Sequence, residues 1–155
     1  MGHFTKTSLH IFIATLLLTS CFHPKSSRVD DSGRSSVAYQ KELSQLRQEL
    51  YYHPTIELLD NILELYDKKL KLELKFCSEG DTPQKEDLQA FWTLCAKANT
   101  LFSVYRFDDA LSTIENCPIP SVVGTGLYNF VLDGHHASVA YFSGDDATMR
   151  VYVAQ

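Results

Sequence analysis

The 155-residue chain lacks the long apolar runs, basic clusters and phosphate-cradling loops that mark several large classes of protein. No stretch reaches the roughly 18 to 20 uninterrupted apolar residues that a bilayer crossing requires, which excludes a polytopic membrane protein. Basic residues are few: 14 Lys and Arg stand against 19 Asp and Glu, a net of −5, and no cluster of them stands out. Nucleic-acid phosphates need such a cluster, so no DNA or RNA partner is expected. There is no Cys-x-x-Cys, hence no dithiol redox motif. With 45% hydrophobic and 12% aromatic residues, the composition is that of one ordinary globular domain, neither disordered nor collagen-like.

What is present starts at the N-terminus. Met1 to His10 carries one Lys6 and no acid, and a short apolar run follows from Ile11 to Leu18. Such a run suits a signal-peptide core and is too short to span a membrane. It ends in Leu18-Thr19-Ser20-Cys21, which resembles the lipobox of bacterial lipoproteins. The resemblance covers this export segment alone. It implies that residues 1–20 are removed, that Cys21 is the lipid attachment site and is acylated, and that the protein sits in the cell envelope. Phe22, where an Asp would favour the inner membrane in that family, leans toward the outer membrane. Several acyl chains at about 0.8 kcal/mol per buried methylene would make a lasting anchor.

The mature chain would carry 13 basic against 19 acidic side chains, a net of −6. Residues 21–36 are polar and rich in serine, with little apolar surface to offset ordering entropy, so they read as a lipidated flexible tether. Residues 37–155 read as a single α+β domain. Val37 to Tyr52 places Tyr39, Leu43, Leu46 and Leu50 at helical spacing, with Ser35 or Ser36 as the N-cap. His53-Pro54 interrupts, and a second helix from Thr55 carries Leu58, Leu59, Ile62, Leu63, Tyr66 and Leu70. Lys69 and Glu73 fall inside that apolar stripe, while Leu70 to Phe76 also alternate with period two, so helix to about Lys75 competes with an edge strand.

Thr82-Pro83 reads as the start of a third helix bearing Leu88, Phe91, Trp92, Cys95, Ala98 and Phe102. After a break near Arg106, a short fourth helix runs from Phe107 to Asn116. Leu94, Ala98, Leu101, Phe107, Ala110 and Ile114 resemble, in one copy only, the apolar and small positions of a tetratricopeptide repeat. Leu127 to Leu132, Ala137 to Phe142 and Thr148 to Val153 are β-prone runs separated by Asp133-Gly134-His135-His136 and Ser143-Gly144-Asp145-Asp146. These predict a three-stranded antiparallel meander, with Met149, Val151 or their neighbours facing the helices. The expected fold is therefore α+β, about four helices followed by the meander.

Little of this spells out chemistry. Once Cys21 is lipidated, Cys77, Cys95 and Cys117 remain in a compartment where disulfides persist. Cys95 and Cys117 lie about equally far on either side of the Arg106 break, so an antiparallel hairpin would set them opposite each other, and a bridge could contribute roughly 3 kcal/mol. Pairing through Cys77, or three free thiols, is the alternative. His135 and His136, adjacent in a strand, would face opposite ways and make poor partners for one metal, so no metal and no cofactor is expected. Gly124-Thr125-Gly126 reads as a turn ahead of a strand, without the helix N-terminus of a phosphate cradle. Asp108-Asp109 suits a helix start. Trp92 is a candidate binding anchor, though its apolar stripe favours the core.

The first functional expectation is a non-enzymatic, lipid-anchored envelope protein that docks a protein partner, such as an accessory or assembly factor of an outer-membrane or secretion complex. A toxin-neutralising or enzyme-inhibiting lipoprotein is the alternative. A third reading is a hydrolase with a site assembled from scattered residues, including His135 or His136.

Overall fold

Serine or threonine precedes three of the helical segments, and each supplies the side-chain oxygen that an unsatisfied first turn needs. The computed structural model describes residues 28–145, 148, 149 and 151. The export segment, Cys21 and the first part of the expected tether lie outside those residues. Helix α1 (Ser36–Tyr52) starts at Ser35, whose hydroxyl accepts from the Ala38 amide, and α2 (Ile56–Leu74) starts at Thr55, which accepts from Leu58. Helix α3 (Lys85–Ser103) is followed by the short α4 (Phe107–Glu115) and by α5 (Gly126–Phe142), whose Thr125 cap accepts from Tyr128.

Each helix packs on the one before it in the chain. Contacts between α2 and α3 run 67 to 97, 69 to 93 and 73 to 89, so the two are antiparallel. The start of α1 meets the end of α2 where Ser36 donates to Glu73. The start of α4 meets the end of α5 where Phe107 stacks on Phe142. The core divides around α2 and α3. On one side Tyr39, Leu43, Ile62, Tyr66 and Leu72 join α1 to α2. On the other Phe91, Leu94, Ala98, Ala110, Ile114, Ile119 and Val122 join α3, α4 and the connector to α5. Complete burial of an aliphatic side chain such as Leu43 or Ile62 is worth about 1.5 to 3 kcal/mol.

Two ends result. At one, here called the root, lie Arg28, the start of α1, the α2–α3 loop and the α4–α5 connector. At the other, the far end, lie the α1–α2 and α3–α4 turns and the end of α5. The described part of the segment read as a tether, residues 28–36, folds against the root. Asp30 accepts from the Ser32 amide, the Ser32 hydroxyl and the Arg34 amide, and its other oxygen takes the Tyr39 hydroxyl. Those bonds, the Ser32 hydroxyl foremost, hold its carboxyl well below the usual carboxylate range. Val29 and Ser35 close the turn as a bridge, and Arg28 lies over the Phe76 ring.

The α+β expectation is overturned: among the described residues the fold is all-helical, with five helices and no sheet. Leu127 to Leu132 and Ala137 to Phe142 are two halves of α5, and the intervening Asp133-Gly134-His135-His136 is helix interior rather than turn. Burial explains the outcome, since Tyr128, Val131 and His135 are spaced three and four apart and share the buried face. The β preference of Val, Tyr and Phe reflects a packing environment and yields to the one offered. The described members of the third run, Thr148, Met149 and Val151, are helical too. The α2 alternatives resolve as helix, with Lys75 as C-cap. The third helix begins at Lys85, not after Thr82, because Asp87 reaches back to the Gln84 amide and so caps the chain two residues later.

Gly134 now sits mid-helix with open space where a Cβ would go. Gly134→Ala should raise stability by about 0.5 to 1 kcal/mol, and Gly134→Pro should cost about 3 kcal/mol or more. Urea denaturation checks both, and a proline tolerated at 134 would return the segment to a turn.

Candidate functional site

Aromatic side chains gather at the far end. Phe102, at the end of α3, lies 4.8 Å from Phe107 and 5.5 Å from Phe142, and Phe107 stacks on Phe142 at 5.5 Å with the rings 22° apart. Tyr105 meets Phe107 edge-on at 5.9 Å, and Tyr141 meets Phe142 edge-on at 5.3 Å. Phe102 and Phe107 are half-buried, whereas Tyr105 is 75% exposed, Tyr141 57% and Phe142 55%. Tyr51 and Tyr52, at the tip of the α1–α2 hairpin, are also exposed and stack edge-on. Rings in such offset and edge-on contacts gain about 0.5 to 1.5 kcal/mol per pair beyond their burial.

The α3–α4 turn carries a backbone feature of its own. The Arg106 amide bonds the Leu101 carbonyl and the Tyr105 amide bonds the Phe102 carbonyl, the paired closure that ends many helices on a left-handed residue. Here that residue is Tyr105, with φ 63°, the sole described non-glycine residue at positive φ. The end of α5 uses the same pair of bonds, from Asp145 to Ala140 and from Gly144 to Tyr141, and there glycine takes the left-handed position at φ 74°. A Cβ in that conformation costs about 1 kcal/mol or more. Tyr105 thus stands exposed at the edge of the ring cluster in a strained conformation that no bond of the turn requires a tyrosine to adopt.

Buried charge lies elsewhere. Lys69 and Glu73, one turn apart on α2, are both almost fully buried, with Nζ 2.7 Å from Oε1. Lys69 also meets the Thr93 hydroxyl at 2.5 Å, and the same Glu73 oxygen accepts from Ser36 at 2.6 Å and from Gln89 at 2.8 Å. These five side chains come from α1, α2 and α3. The second Glu73 oxygen is buried without a hydrogen-bond partner among the described residues.

Asp87, on the first turn of α3, is wholly buried and ties down the α2–α3 loop. It accepts from the Ser78 amide and hydroxyl at 2.7 and 2.6 Å and from the Gln84 amide at 2.7 Å. Burial on its own would raise its pKa, but these bonds and the nearby Ser121 hydroxyl overcome that and bring it down to about 2. Burial pushes the neighbouring Cys77 thiol up to about 12, with the Asp87 hydrogen bond and charge adding to the shift. Cys95, in the core, and Cys117, half-buried in the connector, are raised by burial as well. No bridge joins Cys77, Cys95 and Cys117: all three are free thiols. Thiols so raised are poor nucleophiles at neutral pH.

The remaining residues singled out from sequence are dispersed. Trp92 is half-buried on α3, packed against the core and 5.8 Å from Phe91. Buried His135 turns Nδ1 to the Val131 carbonyl at 2.9 Å, and burial lowers its pKa. His136 points instead to Glu115 of α4 at 3.4 Å. Gly124-Thr125-Gly126 precedes a helix, contrary to expectation, and Thr125 is its cap. Asp108 and Asp109 open α4, where Asp109 pairs with Arg106 at 2.7 Å. Among the described residues no three His, Cys, Asp or Glu side chains gather as a metal site requires, and no helix is long and apolar enough to cross a membrane. No family model, no curated protein and no solved structure matches this chain. The geometry therefore stands alone. Sequence reading missed Tyr105, Phe107 and Phe142 as a cluster; the available signal was the density of rings around the Arg106 break and at the end of the Ala137 to Phe142 run.

Removing one partner from the Lys69–Glu73 pair leaves a buried charge unpaired. Lys69→Ala should cost about 3 to 5 kcal/mol in urea denaturation, and Lys69→Met combined with Glu73→Leu should recover most of that. A cost below about 1 kcal/mol for Lys69→Ala would mean that the pair does not hold the helices.

Because the folded-state pKa of Asp87 lies below its ordinary value of 3.8, its contribution is complete above about pH 4 and is lost as pH falls through about 2. Thermal melts of the wild type and of Asp87→Asn should differ by a constant gap above pH 4 and converge toward pH 2. A gap that widened on acidification would contradict the assignment.

Proposed function

We propose that this chain is a non-enzymatic, lipid-anchored protein of the bacterial envelope, attached at Cys21, whose helical domain docks a protein partner as an accessory or assembly factor of a membrane or secretion complex. The observation that carries the reading is the exposed ring cluster at the far end, with Tyr105 held there in a strained conformation. Exposed aromatic clusters of this kind supply the anchors of protein interfaces, where Tyr and Trp carry a disproportionate share of the binding energy. The lipobox-like Leu18-Thr19-Ser20-Cys21 supports the envelope part of the reading. A lipid anchor would confine the domain to one surface and raise its effective concentration near a membrane-bound partner.

Cys21→Ala should abolish incorporation of labelled palmitate and leave either an unprocessed precursor or a soluble product. Unchanged labelling and membrane retention in that variant would overturn the anchor.

A further inference from the structure

Charge is distributed unevenly along the helix axes. The stretch between Lys41 and Lys68 and everything after Lys97 contain no lysine, and the far-end turns and the end of α5 fall within these segments. Exposed acids occupy this end instead: Glu49, Glu57 and Asp60 on the first hairpin, Asp108 and Asp109 next to Phe107, and Asp145 after α5. Arg47 and Arg106 are the basic residues of the described part of this end, and Arg106 is taken up by Asp109. Asp108, Asp109 and Asp145 thus lie within three residues of Phe107 or Phe142, at the ring patch itself.

We infer that the far end docks a protein segment carrying lysine or arginine side chains around an apolar centre. This deepens the docking function proposed above and rests on it. An acidic rim attracts basic side chains and steers their approach. The exposed faces of Tyr105 and Tyr141 offer cation–π contact to the same groups. The rim also disfavours a membrane as the occupant, because anionic headgroups would meet like charge. Position adds to this. With Cys21 only seven residues before Arg28, the root can stand no more than about 25 Å from an anchor at Cys21. The 19-residue α2 and α3 separate the far end from the root by about 28 Å, so the two ends are distinct surfaces.

The test uses the full-length chain in its own envelope, with a photoreactive phenylalanine analogue placed at Tyr141 or, as the root-end control, at Val123. Position 141 should yield one protein adduct, and position 123 should not. Asp108→Lys with Asp109→Lys should reduce the adduct at least tenfold, whereas Lys71→Glu with Lys75→Glu should leave it unchanged. Tyr105→Gly should also abolish it while melting no lower than the wild type, since glycine relieves the strained turn; this separates lost docking from lost folding. A lipid adduct, an adduct of twice the chain's own mass, or an adduct indifferent to the Asp108 and Asp109 reversals would overturn the inference. An adduct from Val123 alone would do so and leave the docking function standing. No adduct from either position would overturn both.

Discussion

A lysine and a glutamate on the buried side of one helix fix the register of three. Apolar side chains drive α1, α2 and α3 together, but leucine contacts are non-directional and tolerate sliding along the axis. The Glu73 carboxylate does not. One of its oxygens accepts from Ser36 of α1, Lys69 of α2 and Gln89 of α3, and sliding α1 or α3 by a single residue would strip the buried pair of the Ser36, Gln89 or Thr93 hydrogen bonds that satisfy it. Burying such a pair contributes little net stability, because desolvation cancels most of the attraction; its effect is to make wrong registers costly. Everything beyond α3 inherits this placement, since α4 packs on α3 and α5 on α4.

The two ends of the molecule consequently differ in kind. At the root, buried or partly buried carboxylates hold loops: Asp30 closes the turn before α1, Glu73 binds α1 to α2 and α3, and Asp87 clamps the loop from Ser78 to Gln84. These acids are engaged by backbone amides and neighbouring hydroxyls, so they serve structure. At the far end the connections are brief, with His53 to Thr55 and Val104 to Arg106 sufficing, and large apolar rings stand in the open. Helix α5 ends on Gly144, as backbone energetics favour, whereas α3 ends on Tyr105 in the same conformation. One molecule thus contains both the relaxed and the strained solution to a single turn. What distinguishes them is the exposed ring that the strained one displays.

Much of the fold was legible where the apolar residues are leucine and isoleucine at spacings of three and four. α1, α2 and α4 lie close to where that pattern puts them, and the breaks at His53-Pro54 and Arg106 hold. α5 was not legible. Its sequence is apolar on nearly every side and rich in Val, Tyr and Phe, so no stripe stands out and local preference points to strand; only burial against α4 and the Ile119–Val122 connector selects helix. Lys69 and Glu73 were visible as anomalies in an apolar stripe, but their partners at 36, 89 and 93 belong to other helices, and spacing within α2 carries no trace of them. The ring cluster was hidden for the same reason, since Phe107 and Phe142 are 35 residues apart and meet through tertiary packing alone.

The cluster itself has an inner and an outer layer. Phe102 and Phe107 are half-buried and, with Phe142 stacked on Phe107, fasten the end of α5 to the α3–α4 turn. Truncating an inner ring would therefore loosen α5 as well as the surface. Tyr105 and Tyr141 project from that platform and each touches it only by an edge. Their removal leaves the platform in place. A surface built this way can vary its outer tyrosines to suit a partner without renegotiating the fold, because the rigidity of the far end resides in the phenylalanines beneath them.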